Sequence, residues 1–308
     1  MSCEVHKIVL CCFLTHYISF LLSLYFKILG FQDISPTELY WILIHLKERS
    51  KANHSKEEIS SEEDTKVFKI VLAGNRNLSD SIADYLYLLP DTVCDLDLSY
   101  CGLSSTGIRY ICQFMENNST ITRLLLWGNV ISVAGALYIR DMLKKNTRLE
   151  EFCCYNDSPM PTKGKLLIAN GLQHNTTIRR VRIDDCQGTP SEAIVYTAFR
   201  QSLERLGNSS SCQTLEIGPI NRDPNMRDWA NTVERCENLN NLGVNSSCLA
   251  HIPKYMYWLN LNLCNARKIT REGNVEKLCI LLAKAVKSGN DDVLYYLIRN
   301  NVEHLPPC

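Results

Sequence analysis

A 28-residue period in the middle of the chain constrains the fold more than any other feature of the sequence. Residues 93 to 120 read VCDLDLSYCGLSSTGIRYICQFMENNST, and residues 121 to 148 read ITRLLLWGNVISVAGALYIRDMLKKNTR. Equivalent positions of the two stretches carry similar residues: Leu96 and Leu124, Leu98 and Leu126, Gly107 and Gly135, Ile111 and Ile139, Phe114 and Met142. Self-similarity at a fixed spacing of this length is typical of repeat proteins.

Further copies of the unit flank these two stretches. The next unit begins at residue 149 and keeps Phe152 and Cys154 at the strand positions. Weaker copies carry the alternating apolar residues of the strand: Ile70 and Leu72 upstream, then Val181 and Ile183, Leu215 and Ile217, and Leu242 and Val244 downstream. Regularity decreases after about residue 187, so the pattern predicts about three good repeats and three or four degraded ones.

Each unit changes from apolar residues at alternate positions to apolar residues at helical spacing. The first pattern indicates a short strand, and the second indicates a helix with one buried face. Because a single unit cannot bury both elements, neighbouring units must stack, and their strands then form one parallel sheet. The sequence therefore predicts an α/β solenoid over residues 66 to 250, with an inner parallel sheet and outer helices.

The strands LDLSYCGL and LLLWGNVI, each followed by a helix with spaced glycine, isoleucine and asparagine, resemble leucine-rich repeats of the ribonuclease-inhibitor-like subtype. The same subtype occurs in NOD-like receptors and in Ran GTPase-activating proteins. The resemblance is specific over residues 66 to 187 and weaker to about residue 250. It implies a helix-backed horseshoe with a binding role, and it does not identify one family member, because many functions use this scaffold.

The two ends of the chain differ in composition from the repeats. Residues 1 to 47 are hydrophobic and predicted helical; their stretch 8 to 26 fits either a single membrane anchor or a packed cap helix. Residues 48 to 65 are highly charged and predict an exposed linker or a polar helix. Residues 251 to 308 abandon the repeat and predict a helical C-terminal cap with a polar face, as an open solenoid end needs.

Side chains between the buried strand residues point to the opposite face of the predicted sheet, where a partner would bind. The predicted protein-binding residues are Asp95, Asp97, Arg123, Trp127, Glu151, Tyr155, Arg180 and Arg182. Trp127 and Tyr155 are 28 residues apart, so they should be neighbours and form one aromatic patch. Tryptophan, tyrosine and arginine dominate interface energetics. Alternatively, Trp127 packs locally and the opposite charges pair across neighbouring strands.

Sequence motifs for catalysis and cofactor binding are absent. The chain contains no GxxxxGK[ST], HExxH, GxSxG or GxGxxG pattern, and its histidines lack metal-ligand spacing. We therefore expect no enzyme activity, no cofactor and no metal site. Lysine plus arginine equals aspartate plus glutamate at 33 each, so the formal charge of zero argues against nucleic-acid binding.

The 15 cysteines bear on the compartment. Their number is odd, no CxxC pair occurs, and several lie in strand-like runs, where cysteine behaves as a small buried hydrophobe. We therefore predict a cytoplasmic protein, with a single-pass membrane-anchored protein as the alternative. The Asn-x-Ser/Thr sequons would favour secretion, but those at Asn118 and Asn175 occupy one helix-to-strand turn, where turn chemistry alone favours asparagine.

Together these features predict a monomeric, non-enzymatic protein–protein interaction module. A membrane-anchored, receptor-like sensor is one alternative, and it depends on residues 8 to 26. The resemblance to Ran GTPase-activating proteins implies a second alternative, a regulator of that type, although the tail of this chain is not acidic.

Overall fold

The computed structural model describes residues 34–54, 69–155, 159–183, 192–218, 222–242, 250 and 252–301. The stretch from 8 to 26 lies outside these residues. The strands there are β1 (Lys69–Val71), β2 (Asp95–Asp97), β3 (Arg123–Leu125), β4 (Glu151–Cys154), β5 (Arg180–Ile183) and β6 (Thr214–Glu216). The α-helices are α1 (Pro36–His54), α2 (Ser105–Asn117), α3 (Val133–Lys145), α4 (Thr162–Leu172), α5 (Ala193–Leu206), α6 (Trp229–Arg235), α7 (Pro253–Leu263), α8 (Ala266–Glu272), α9 (Val275–Ser288) and α10 (Asp291–Asn300).

The six described strands form one parallel sheet in chain order, β1 to β6. Leu96 pairs with Leu124, and Leu124 pairs with Phe152, so the pairing follows the alignment of the repeats. Helices alternate with the strands from β2 onwards. The predicted α/β class is therefore confirmed, and the architecture is compatible with a leucine-rich-repeat solenoid.

The core lies between the sheet and the helices. The central strand residues Leu96, Leu124, Phe152, Val181 and Leu215 are completely buried. They belong to one continuous cluster that extends from Ile34 to Tyr255 and includes the inner faces of α1 to α6. This burial follows from the period of two in each strand, which places alternate side chains on one face of the sheet.

Two asparagines in the turn after the strand, Asn75 and Asn129, connect their repeats to the preceding part of the chain. Asn129 is completely buried; its Oδ1 accepts the backbone N–H of Leu103 (3.1 Å), and its Nδ2 donates to the carbonyl oxygen of Leu98 (2.9 Å). Asn75 is also buried, and its Oδ1 accepts the N–H of Ile34 at 2.9 Å. Ile34 and α1 therefore occupy the place of a preceding repeat, and α1 continues to His54, beyond the predicted start of the linker at residue 48.

A second set of asparagines lies at the helix-to-strand turns. The Nδ2 atoms of Asn146 and Asn175 donate to carbonyl oxygens of the preceding repeat at 2.5–3.3 Å. Their Oδ1 atoms accept backbone N–H groups two and three residues later at 2.7–2.9 Å. Asn118 uses its Oδ1 in the same way. Each asparagine thus satisfies backbone groups that would otherwise be buried without partners.

Close packing explains one of the two helix-entry glycines. The first repeat has a 3₁₀ helix, Ser79–Leu88, whose Asp80 accepts the backbone N–H of Ser104 at 2.8 Å just before α2. A Cβ on Gly107 would lie 2.2 Å from Asp80 Oδ1, so any larger residue here would have to displace the Asp80 side chain and its hydrogen bond to Ser104. At Gly135 the nearest atom would be at 3.5 Å, an ordinary contact distance.

The C-terminal helices α7 to α10 build a second, smaller core. It contains Leu261, Ala266, Leu278, Leu281, Ala285, Val293 and Leu297. Trp258 on α7 contacts both this cluster and the main core, so the helical end is packed directly onto the last repeat. None of the helices that the structure describes is long and apolar enough to cross a membrane.

Candidate functional site

The parallel register places the predicted binding residues in two rows across the face of the sheet that is turned away from the helices. We call this surface the open face. The first row is Lys69, Asp95, Arg123, Glu151, Arg180 and Thr214. The second row is Val71, Asp97, Leu125, Cys153, Arg182 and Glu216. The sheet therefore brings all the predicted charged residues onto one surface.

Charges in the first row pair across neighbouring strands. Arg123 lies between two carboxylates, with distances of 2.9 Å to Asp95 and 3.2 Å to Glu151. Lys69 lies 3.5 Å from Asp95, and Arg180 lies 3.5 Å from Glu151. These alternating pairs match the alternative interpretation of the charges, in which they stabilise the sheet. Little charge in this row is left without an opposite charge beside it.

Trp127 and Tyr155 follow the ends of β3 and β4, and their rings are in contact. The ring centroids are 6.4 Å apart with an angle of 58° between the planes, so the predicted neighbour relationship is present. The backbone continues the parallel pairing beyond the strands, because the N–H of Gly128 donates to the carbonyl oxygen of Tyr155 at 2.9 Å. Both side chains are half-buried, which leaves part of each ring on the surface.

Arg182 on β5 covers both rings. Its guanidinium carbon lies 4.8 Å from the Trp127 ring centroid and 5.6 Å from that of Tyr155. Its Nε lies 3.0 Å from the Glu216 carboxylate on β6, which holds the guanidinium from the other side. A guanidinium over an aromatic face contributes about 0.5–1 kcal/mol at an exposed site. We call Trp127, Tyr155 and Arg182 the aromatic–arginine cluster.

Asp97, in the second row, forms a hydrogen bond with the backbone close to it in sequence. Its Oδ1 accepts the backbone N–H of Ser99 at 3.0 Å, in the turn that leaves β2. Leu125 and Cys153 belong to the same row but are buried, so neighbouring side chains of the open face cover them. Trp127 contacts Tyr155 and Arg182 on the same face, which is the kind of local packing that the alternative interpretation of Trp127 proposes.

The Cys153 thiol lies beneath this surface and is protonated at neutral pH. Burial raises its pKa to about 11, and the Glu151 carboxylate acts in the same direction. The Trp127 side chain and the positive charges of Arg123 and Arg182 oppose this shift without cancelling it. Because the thiolate is the reactive form of cysteine, Cys153 is a packing residue in this surface.

Alkylation of the native protein tests this assignment. Near neutral pH, iodoacetamide is expected to label Cys153 at least roughly a hundredfold more slowly in the native protein than in protein unfolded by urea, because burial raises the pKa of this thiol to about 11 and lowers its thiolate fraction by that factor. Peptide mass spectrometry measures both rates. Equal labelling of Cys153 in the native and the unfolded protein would contradict a buried, protonated thiol.

Glu216 is the residue of this surface that the sequence-based prediction missed. It aligns with Arg182 across β5 and β6, and it pairs with that arginine. The weak copy at Leu215 and Ile217 was the available signal, because the residue between two buried strand positions must point to the open face. In the part of the chain that the structure describes, no group of three or more histidine, cysteine, aspartate or glutamate side chains is placed to hold a metal ion.

Comparison with known proteins finds similarity over part of the chain. A segment of 97 residues is 31% identical to part of NACHT, LRR and PYD domains-containing protein 14 of Mus musculus. The chain is similar to an LRR-containing protein. The match covers 31% of this chain and 10% of the mouse protein, and the parallel α/β structure fits a leucine-rich-repeat protein. No family model matches the sequence.

Among solved structures, the Leiomodin-1 Actin-Binding Site 2 is similar at 21% sequence identity, with a TM-score of 0.41. That alignment covers 52% of this chain and 89% of the leiomodin chain.

Proposed function

We propose that this chain is a non-enzymatic protein–protein interaction module whose open face binds a protein partner. In this proposal the repeats are of the ribonuclease-inhibitor-like subtype and curve into a horseshoe, so that the open face is concave. The observation that carries the proposal is the aromatic–arginine cluster, with Arg182 placed over both Trp127 and Tyr155. The likeness to part of an LRR-containing protein supports it.

The composition and rigidity of the cluster support a binding role. Tryptophan, tyrosine and arginine are the residue types that most often dominate the binding energy of protein interfaces. The Glu216 carboxylate and the two rings hold Arg182 in place, so the cluster loses little conformational freedom when a partner binds. Half-buried rings also offer apolar area to a partner without exposing a large apolar surface that would promote aggregation.

The electrostatics of the open face favour a protein partner over a strongly charged polymer. The cationic residues of the first row each face a carboxylate within 3.5 Å, so the row presents alternating charges. Nucleic acids bind through several cationic groups that are free to contact phosphates. A protein surface with both apolar and polar groups complements the open face better.

A reducing, cytoplasmic compartment is part of the proposal. Six of the described cysteines are buried in strands, helices or adjacent turns, where they pack as small apolar residues: Cys101, Cys112, Cys153, Cys154, Cys212 and Cys236. The sequon asparagine Asn175 is also buried, and its Nδ2 donates two hydrogen bonds in the folded chain. That nitrogen is therefore not available to carry a glycan.

Affinity capture with matched variants tests the binding site. We expect the double variant Trp127→Ala, Tyr155→Ala to bind a partner captured by the wild type at least about thirtyfold more weakly, since loss of a hot spot costs about 2 kcal/mol or more. The control is Trp41→Ala, Tyr87→Ala, which removes two exposed aromatic side chains outside the open face. Titration calorimetry with the identified partner measures each dissociation constant.

Circular dichroism of both variants establishes that the fold is intact before the affinities are compared. Equal recovery of every partner by the wild type and the open-face variant would exclude the aromatic–arginine cluster as the binding site. Loss of binding in the control variant alone would place the site on α1 and the first repeat.

A further inference from the structure

Helix α9 carries an apolar surface that no described element covers. Val275, Ile280 and Val286 are 50%, 63% and 64% exposed, and Cys279 and Ala283 are exposed beside them. The helix packs mainly against α8 and α10, through Leu278, Leu281 and Ala285 on its other side. A surface helix normally carries polar residues on its outer face, so this apolar outer face is unusual.

The outer side of α9 carries two adjacent rows with the spacing of a coiled-coil seam; Leu282 is half-buried against the C-terminal core, and the other members are exposed. One row is Val275, Cys279, Leu282 and Val286, and the other is Glu276, Ile280, Ala283 and Lys287. Both rows follow the spacing i, i+4, i+7 and i+11, which places their members along one face of a helix. The face therefore has an apolar centre. The row that contains Ile280 begins with the acidic Glu276 and ends with the basic Lys287.

The charges of this face complement a second copy in the opposite direction. In an antiparallel pair about a two-fold axis, Glu276 of each copy meets Lys287 of the other, and Ile280 meets Ala283. A parallel pair would place Glu276 against Glu276 and Lys287 against Lys287, which is unfavourable. Lys277 already pairs with Glu272 at 3.1 Å, whereas the ion pairs found among the described residues include neither Glu276 nor Lys287.

We propose that this chain forms a homodimer in which α9 packs antiparallel against α9 of a second copy. An isologous interface of this kind uses one surface twice, so both salt bridges form from a single complementary pair of residues. The interface lies on the C-terminal helices and leaves the open face accessible, so the dimer presents two open faces. This proposal differs from the sequence-based prediction, which is a monomer.

The molecular mass of the full chain in solution tests the interface. Under reducing conditions, sedimentation equilibrium should give twice the monomer mass for the wild type. Val286→Asp should raise the dimer dissociation constant at least about tenfold, a change of 1.4 kcal/mol. Val130→Asp, which alters an equally exposed valine in the repeats, should leave the mass unchanged. Circular dichroism verifies that both variants are folded.

Charge reversal tests the antiparallel orientation. Glu276→Lys and Lys287→Glu should each weaken the dimer, because each creates two like-charge contacts, and the double variant should restore it. A monomeric wild type would overturn the proposal, and so would a dimer that Val286→Asp leaves intact. Weakened single variants without recovery in the double variant would overturn the antiparallel register.

Discussion

Replacing Lys165 with methionine is expected to lower the free energy of unfolding by about 3–5 kcal/mol, the usual cost of breaking a buried ion pair. Lys165 on α4 is completely buried, and its Nζ lies 3.0 Å from Glu192 Oε1, just before α5. The variant leaves the Glu192 carboxylate in the interior without its cation. Urea unfolding followed by circular dichroism measures the change.

Two controls separate the loss of the ion pair from a general loss of packing. The double variant Lys165→Met, Glu192→Gln also removes the buried Glu192 charge, and it should recover a large part of the lost stability. Lys145→Met breaks the exposed pair with Glu116 and should cost far less than Lys165→Met, because solvent screens an exposed ion pair. If Lys165→Met and Lys145→Met cost the same, Lys165 does not contribute through a buried charge pair.

The second large effect is expected from Asn146→Ala, which should destabilise the fold by about 3 kcal/mol or more. The side chain is buried and binds four backbone groups: the carbonyl oxygens of Met115 and Asn118 and the N–H groups of Arg148 and Leu149. Each buried group left without a partner costs about 1–3 kcal/mol. Chemical unfolding and hydrogen exchange at Leu149 measure the effect.

The matched control for this variant is Asn117→Ala at the exposed end of α2, for which we expect a change within about 0.5 kcal/mol. Asn146→Asp keeps one acceptor oxygen, loses the donor and places a carboxylate beside two carbonyl oxygens, so it should cost at least as much as alanine. Similar stability of the Asn117 and Asn146 alanine variants would show that the turn tolerates loss of this side chain.

Much of the open face could be predicted because the repeat period determines which strand residues are equivalent. The 28-residue spacing aligned Asp95 with Arg123 and Trp127 with Tyr155. In the structure, Asp95 and Arg123 pair across neighbouring strands, and the rings of Trp127 and Tyr155 are in contact. The position of Arg182 over both rings could not be predicted in the same way. It depends on the side-chain conformations of three strands and on Glu216, which lies in a degraded repeat.

The repeat pattern did not predict the buried ion pair between Lys165 and Glu192. Lys165 follows Gly164 where Ile108 follows Gly107 and Ala136 follows Gly135, so the alignment assigns it to a core position. Glu192, 27 residues later, enters the same interior and stabilises the lysine there. Likewise, the hydrogen bond between Ile34 and Asn75, which places α1 as a preceding repeat, joins residues 41 positions apart.

The 28-residue period by itself determined the strand–helix unit, the parallel order of the strands and the face on which each strand residue lies. It could do so because periodicity is a local property, and alternate residues of a strand must point to opposite sides. Only the tertiary structure decided that Arg182 covers the aromatic pair and that Lys165 forms an ion pair with Glu192 in the core. It also decided that the apolar outer face of α9 is exposed. These features depend on distances between side chains far apart in the chain, which become defined only when the repeats stack.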